Sequence, residues 1–128
     1  MTVQKLMENA LALLPVKPGM TDRLMDYAPL WASLAAAECL PSENAMRAAR
    51  GEEEMPVPPV FSSLSDQIPY DERIQQGAMV YAFGALAAKD DGDPDWAATL
   101  RSRFTGALRD ITPWVPGSIA DLYGGDDT

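Results

Sequence analysis

The sequence predicts an all-α protein, a small bundle of four to five helices with an extended proline-rich loop and an extended C-terminal tail. Apolar residues recur at spacings of three and four in several separate stretches, which is the pattern of amphipathic helices. Prolines and glycines stand between those stretches, where turns are expected. The chain has 128 residues, which is the length of a single domain.

The first helix is predicted over residues 2–14, where apolar side chains form one stripe and Thr2 can accept the N-cap hydrogen bond. Pro15, Pro18 and Gly19 should end this helix and form a turn.

The second predicted helix begins at Thr21 or Asp22, either of which can cap it. Pro29 lies inside it and predicts a kink or a restart near residues 27–28, because proline removes a backbone donor. Pro41 is expected to stop this helix. Ser42 should then cap a short third helix, which Gly51 closes.

Residues 52–70 form a loop that four prolines keep from being helical. It is nevertheless rich in apolar side chains, namely Val57, Val60, Phe61, Leu64, Ile68 and Tyr70. A linker surrounded by water gains nothing from so many apolar side chains, whereas a segment that packs on another surface does. The loop is therefore expected to pack either on its own helical core or on a neighbouring subunit.

Asp71 should cap the next helix, over residues 72–89. Gly77 and Gly84 lie on one face of it and would permit close approach of another helix. The final helix is predicted from Asp93 as the cap, through Pro94 in the first turn, to residue 111.

The C-terminal arm, residues 112–128, is apolar but irregular in pattern. It carries Trp114, Val115, Ile119, Leu122 and Tyr123 between prolines and glycines. The predicted organisation is thus one domain, with a helical core over residues 2–50 and 71–111, the loop 52–70 and this arm. Both the loop and the arm are candidates for contacts with partners.

Composition argues against several classes of function. The chain contains no histidine, the commonest general base and metal ligand. Cys39 is the only cysteine, so an internal disulfide is excluded, and its apolar context predicts a buried, inert thiol. The net charge is −9 and the basic residues are scattered, which makes tight nucleic-acid binding improbable. The N-terminus is a poor signal peptide, so synthesis in the cytoplasm is expected.

The acidic sequence DDGDPD at residues 90–95 superficially suggests a calcium loop. Counted from Asp91, it lacks the glycine of the sixth position and places Ser102 where the bidentate glutamate should stand. An acidic turn with a helix cap explains it better. We predict no catalytic, metal-binding or cofactor-binding residue, and the protein is not expected to be an enzyme.

Taken in order, four stretches of the chain resemble the small head–tail connector (adaptor or head-completion) proteins of tailed bacteriophages. They are DYAPLWASLAAAECLPSENAMRAARG, PPVFSSLSDQIPYDERI, GAMVYAFGALAAKDDGDPDWAATLRSRFTGAL and SIADLYGG, which together span about residues 22–125.

The resemblance implies a structural role in the virion neck, as a dodecameric ring that joins the portal of the capsid to the tail. The implied partners are other copies of the chain, the portal protein and a tail-side stopper or tail-tube protein. Double-stranded DNA would pass without tight binding, and neither a membrane nor a cofactor is involved. Residues expected at the interfaces are Val57, Val60, Phe61, Leu64, Ile68, Tyr70, Trp114, Val115, Ile119, Leu122 and Tyr123.

Two other functions fit the sequence. One is a small intracellular helical protein-binding module or regulator, with the loop and the arm packed on its own core. The other is an acidic inhibitor that mimics the charge of DNA, which the interspersed basic residues disfavour.

Overall fold

The computed structural model describes residues 1–113. These residues are helical and contain no β-strand, which confirms the predicted fold class. Helix α1 spans Val3–Leu11, α2 spans Met20–Ala49, α3 spans Met79–Asp90 and α4 spans Pro94–Ile111. A π-helical turn over Ile74–Ala78 leads directly into α3. The interface residues predicted in the C-terminal arm lie outside the described residues, namely Trp114, Val115, Ile119, Leu122 and Tyr123.

Helix α3 contacts each of the other three helices. It presents Phe83, which is fully buried, to Trp31 of α2, and the two rings meet edge to face with centroids 5.8 Å apart. Leu100 of α4 and Leu6 of α1 are also fully buried. Burying these side chains is the main favourable term in the stability of the bundle.

Helix α2 corrects the sequence prediction most strongly. It runs without interruption through Pro29 and Pro41, so the expected stop at Pro41 and the separate third helix are both wrong. A proline leaves the carbonyl four residues earlier without its helical partner. Those carbonyls belong to Met25 and Ala37, which are both exposed. Water can therefore hydrate these carbonyls, which reduces the free-energy cost of each proline in the helix.

The predicted caps of three helices are confirmed. The hydroxyl of Thr2 accepts from the N–H of Lys5, and Asp71 Oδ1 accepts from the N–H of Arg73. Asp93 Oδ1 accepts from the N–H of Trp96. These bonds satisfy N–H groups that have no partner within their own helix.

The predicted cap of α2, at Thr21 or Asp22, is wrong. The chain turns through Gly19, whose φ of 78° is in the left-handed region that favours glycine. Helix α2 begins at the next residue. Helix α1 also ends earlier than predicted, at Leu11, because Leu13 and Leu14 donate to carbonyls three residues back instead of four.

The second half of the loop 52–70 runs beside the start of α1. The N–H groups of Val3 and Gln4 donate to the carbonyls of Asp66 and Leu64, over 3.0 and 2.9 Å. The N–H of Ile68 in turn donates to the carbonyl of Met1 over 3.0 Å. The loop therefore satisfies free donors in the first turn of α1 and is part of the folded body.

Candidate protein-interaction surface

The first half of the loop is attached to α2 at two points. Asn44 makes a pair of hydrogen bonds with the backbone of Met55: its Nδ2 donates to the Met55 carbonyl over 2.9 Å, and its Oδ1 accepts from the Met55 N–H over 2.7 Å. Further along, the N–H of Phe61 donates to Ser33 Oγ over 2.8 Å, and that hydroxyl donates to the carbonyl of Pro29. Backbone groups that would otherwise need water are thus satisfied by α2.

Between these two attachments lies the sequence PVPPV, residues 56–60, which we name the proline–valine segment. Val57 is 67% exposed and Val60 is 84% exposed. The prolines fix φ along the segment, and both ends are bonded to α2. Two exposed valines are therefore presented in a restricted conformation.

A charged network holds the end of the loop. Glu43, which is 1% exposed, accepts from Arg47 Nε over 2.6 Å and from the backbone N–H of Asp71 over 2.7 Å. Arg47 also donates to the carbonyls of Pro69 and Glu53. A buried carboxylate lowers stability unless it is paired and hydrogen-bonded, and Glu43 meets both conditions. Its bonds join α2 to the backbone that precedes the π-helical turn.

The structure separates the loop residues proposed for interfaces into two groups. Phe61, Ile68 and Tyr70 are buried in the protein's own core, and Leu64 packs half-buried against it. Only Val57 and Val60 are exposed and available to a partner. Of the two packing alternatives for this loop, burial on its own core therefore describes its second half.

Tyr70 shows how the second half is fixed. Its hydroxyl donates to the carbonyl of Ala36 over 2.7 Å, and burial raises the pKa of this phenol above its ordinary value.

Cys39, one turn along α2, is fully buried as predicted, and burial raises the pKa of its thiol to about 12. The thiol is therefore unreactive near neutral pH.

A second apolar surface was missed in the sequence. Tyr27, Leu30 and Leu34 are between 44% and 56% exposed, and Ala37 and Pro41 continue the same exposed face of α2. We name these five residues the α2 stripe. Their spacing of three, four, three and four is the signal that could have revealed it. Because Pro29 and Pro41 were expected to interrupt the helix, these five residues were assigned to separate segments and the continuous face was not recognised.

The α2 stripe lies next to the proline–valine segment. Ser33, which accepts from Phe61, stands one residue before Leu34 and three after Leu30. Val60 precedes Phe61 directly, so the backbone next to Val60 is attached to α2 between Leu30 and Leu34. Exposed apolar residues are unremarkable singly, but contiguous ones mark interaction sites.

The acidic turn after α3 is neutralised by the chain's own cations. Asp91 pairs with Lys17 at 2.6 Å and with Arg23 at 3.3 Å, and Asp90 pairs with Arg23 at 3.1 Å. Lys17 holds the pKa of the Asp91 carboxyl below its ordinary value. These pairs and the Asp93 cap account structurally for Asp90, Asp91 and Asp93. Across residues 1–113, no group of three or more Asp, Glu or Cys side chains is arranged to hold a metal ion.

Among the helices of residues 1–113, none has both the length and the apolar character needed to span a membrane. No family model, curated protein or solved structure matches the chain.

Proposed function

We propose that the protein is a structural subunit of the neck of a tailed bacteriophage, forming a homo-oligomeric ring between the portal and the tail. The observation that carries this proposal is the proline–valine segment, in which Val57 and Val60 are exposed although the backbone on either side is bonded to α2. The order of the four sequence stretches that resemble head–tail connectors supports it as well.

The fixed conformation of the segment favours a role in binding. A flexible segment loses conformational entropy when a partner orders it, whereas a preorganised one has already lost it during folding. The partner suited to Val57 and Val60 presents an apolar surface. In the proposed ring, that surface belongs to an adjacent copy of the chain or to the portal protein.

The charge of the protein fits a passage for DNA. With a net charge of −9, the chain repels phosphates at long range and supplies no clustered basic surface to hold them. The proposed role is geometric. It requires neither a catalytic residue nor a cofactor.

The test replaces the two exposed valines together, as Val57→Ser and Val60→Ser. Since both side chains are exposed, helicity and the midpoint of thermal unfolding should stay unchanged. Association with the portal protein encoded in the same genome, followed by size-exclusion chromatography, should be lost. Val16→Ser is the matched control, because Val16 is 62% exposed at a distant turn. Full association of the double variant would contradict the proposed role of the segment.

The same experiment addresses the alternative function. A chain that stays monomeric but binds another protein through Val57 and Val60 would support a small helical binding module instead.

Removal of residues 117–128 tests the C-terminal arm separately. We expect the truncated protein to keep its helicity and to lose association with the portal.

A further inference from the structure

The α2 stripe is an apolar helix face that no element of residues 1–113 covers. Leu30 is 56% exposed, and Tyr27 and Leu34 are each 44% exposed. The spacing of the stripe is the one that helices use to receive another apolar segment. Three large apolar side chains exposed along one face lower solubility, and a segment that removed them from water would add a favourable free energy of burial.

The described chain ends beside one end of this stripe. The hydroxyl of Thr112 donates to Ser42 Oγ over 2.8 Å, and Ser42 directly follows Pro41, the last residue of the stripe. Arg101 of α4 pairs with Glu38 of α2 at 2.6 Å, which ties α4 to the same part of α2. The described residues therefore end near Pro41, at one end of the stripe.

The chain that follows has the composition and the length to cover the stripe. Residues 114–123 contain five apolar side chains, namely Trp114, Val115, Ile119, Leu122 and Tyr123. Ten extended residues reach about 33 Å, whereas fourteen helical steps from Tyr27 to Pro41 cover about 21 Å. The surplus allows the chain to reverse direction, for which Pro116 and Gly117 are suited.

We propose that, in the free subunit, residues 114–123 lie across the α2 stripe of their own chain. The short connection from Thr112 gives this segment an effective concentration near the stripe on the order of millimolar, which favours the contact within one chain over contact between chains. The inference concerns the free subunit and does not depend on the proposed role in the phage neck. A segment held in this way is available for exchange with another copy, as in domain swapping.

The test places a photo-crosslinker on the stripe of the full-length protein. Leu34→Cys is labelled with benzophenone maleimide at neutral pH, where the buried Cys39 does not compete, and is irradiated at low micromolar concentration. The expected product has the mass of one chain, and its crosslinked peptide contains residues from 114–123. Leu30→Cys, one turn away, should give the same product. Val16→Cys is the control, and no crosslink from it to residues 114–123 is expected.

Replacement of Trp114, Ile119 and Leu122 by Ser in the Leu34→Cys protein should reduce the one-chain crosslink at least severalfold. Absence of any crosslink from positions 30 and 34 to residues 114–123 would overturn the inference. A product with the mass of two chains would overturn it also, while supporting assembly through the arm. Each outcome is separable from the portal-binding test with Val57→Ser and Val60→Ser, because those substitutions leave residues 114–123 unchanged.

Discussion

The backbone N–H of Asp71 donates to Glu43 Oε1 over 2.7 Å, and this bond closes the loop 52–70 onto the helix from which the loop departs. Glu43 is almost completely buried and also accepts from Arg47. This one carboxylate therefore joins the C-terminal part of α2, at Arg47, to the backbone before the π-helical turn, at Asp71.

Glu43→Ala should destabilise the protein strongly. It leaves Arg47 and the Asp71 N–H without their buried partner, and breaking such a pair costs about 3 kcal/mol. Urea unfolding followed by circular dichroism measures this loss. Glu38→Ala is the control, because its pair with Arg101 is substantially exposed and should be worth less than about 1 kcal/mol. Equal effects of the two variants would show that Glu43 is not a structural link.

Asn44→Ala should release the start of the proline–valine segment. It removes both hydrogen bonds to Met55, at a cost of about 1–2 kcal/mol. Hydrogen exchange at the Met55 amide should become markedly faster. Asn44→Asp keeps the acceptor and loses the donor, so its exchange rate should fall between those of the parent and the alanine variant. Unchanged exchange in Asn44→Ala would mean that the segment is held by other contacts.

The two glycines of the π-helical turn and α3 should respond differently to substitution. A Cβ on Gly84 would lie 3.3 Å from Leu100 Cδ1 and 3.6 Å from Leu13 Cδ1, whereas a Cβ on Gly77 would meet nothing within 4 Å. Gly77→Ala should stabilise by up to about 1 kcal/mol through helix propensity. Gly84→Ala should gain less, because Leu100 must move.

Larger side chains sharpen the comparison of the glycines. Gly84→Leu should destabilise by about 1–3 kcal/mol through overpacking, and Gly77→Leu should not. Thermal unfolding midpoints of the four variants measure the difference. A Gly84→Leu protein as stable as the Gly77→Leu protein would refute close packing of α3 against Leu13 and Leu100.

Cys39 should be inert in the folded protein and should contribute to loss of stability at alkaline pH. Burial raises the pKa of its thiol from 9.0 to about 12, so at pH 8 the fold carries about a thousandfold less thiolate than an exposed cysteine. Labelling by a disulfide reagent should be slower by a similar factor until urea unfolds the chain.

The sign of the pH dependence follows from the raised pKa. The unfolded thiol ionises near its ordinary value, so the contribution of Cys39 is complete below about pH 9 and is lost as the pH rises toward 12. Urea unfolding between pH 7 and 11 should show this decline. The profile of Cys39→Ala should be flatter, and identical profiles would exclude the thiol as its source.

Much of the fold could be predicted from the sequence, because local signals determine it. Thr2, Asp71 and Asp93 are caps as expected, and the apolar periodicity placed α1, α3 and α4. The continuity of α2 could not be predicted. Proline propensity describes an isolated helix. Here the carbonyls that lose their helical partners belong to the exposed residues Met25 and Ala37, and the core stabilises α2 along its other face.

The interaction surface was predictable only in part. The sequence drew attention to the apolar loop, but composition cannot say which of its side chains point inward. Tertiary contacts decide this: Tyr70 bonds to Ala36, Phe61 bonds to Ser33, and the valines are left outside. Substitution of Phe61 or Ile68 would therefore report on folding, whereas Val57 and Val60 report on binding.

The proposed function requires that the protein assemble into a ring on a portal. Native mass spectrometry of the full-length 13.9 kDa chain, mixed with the portal protein of the same genome, tests it most directly. We expect a complex that contains many copies of the chain per portal, with a copy number that stays fixed when excess chain is added. A chain that remains at the mass of a monomer beside an unoccupied portal would contradict it.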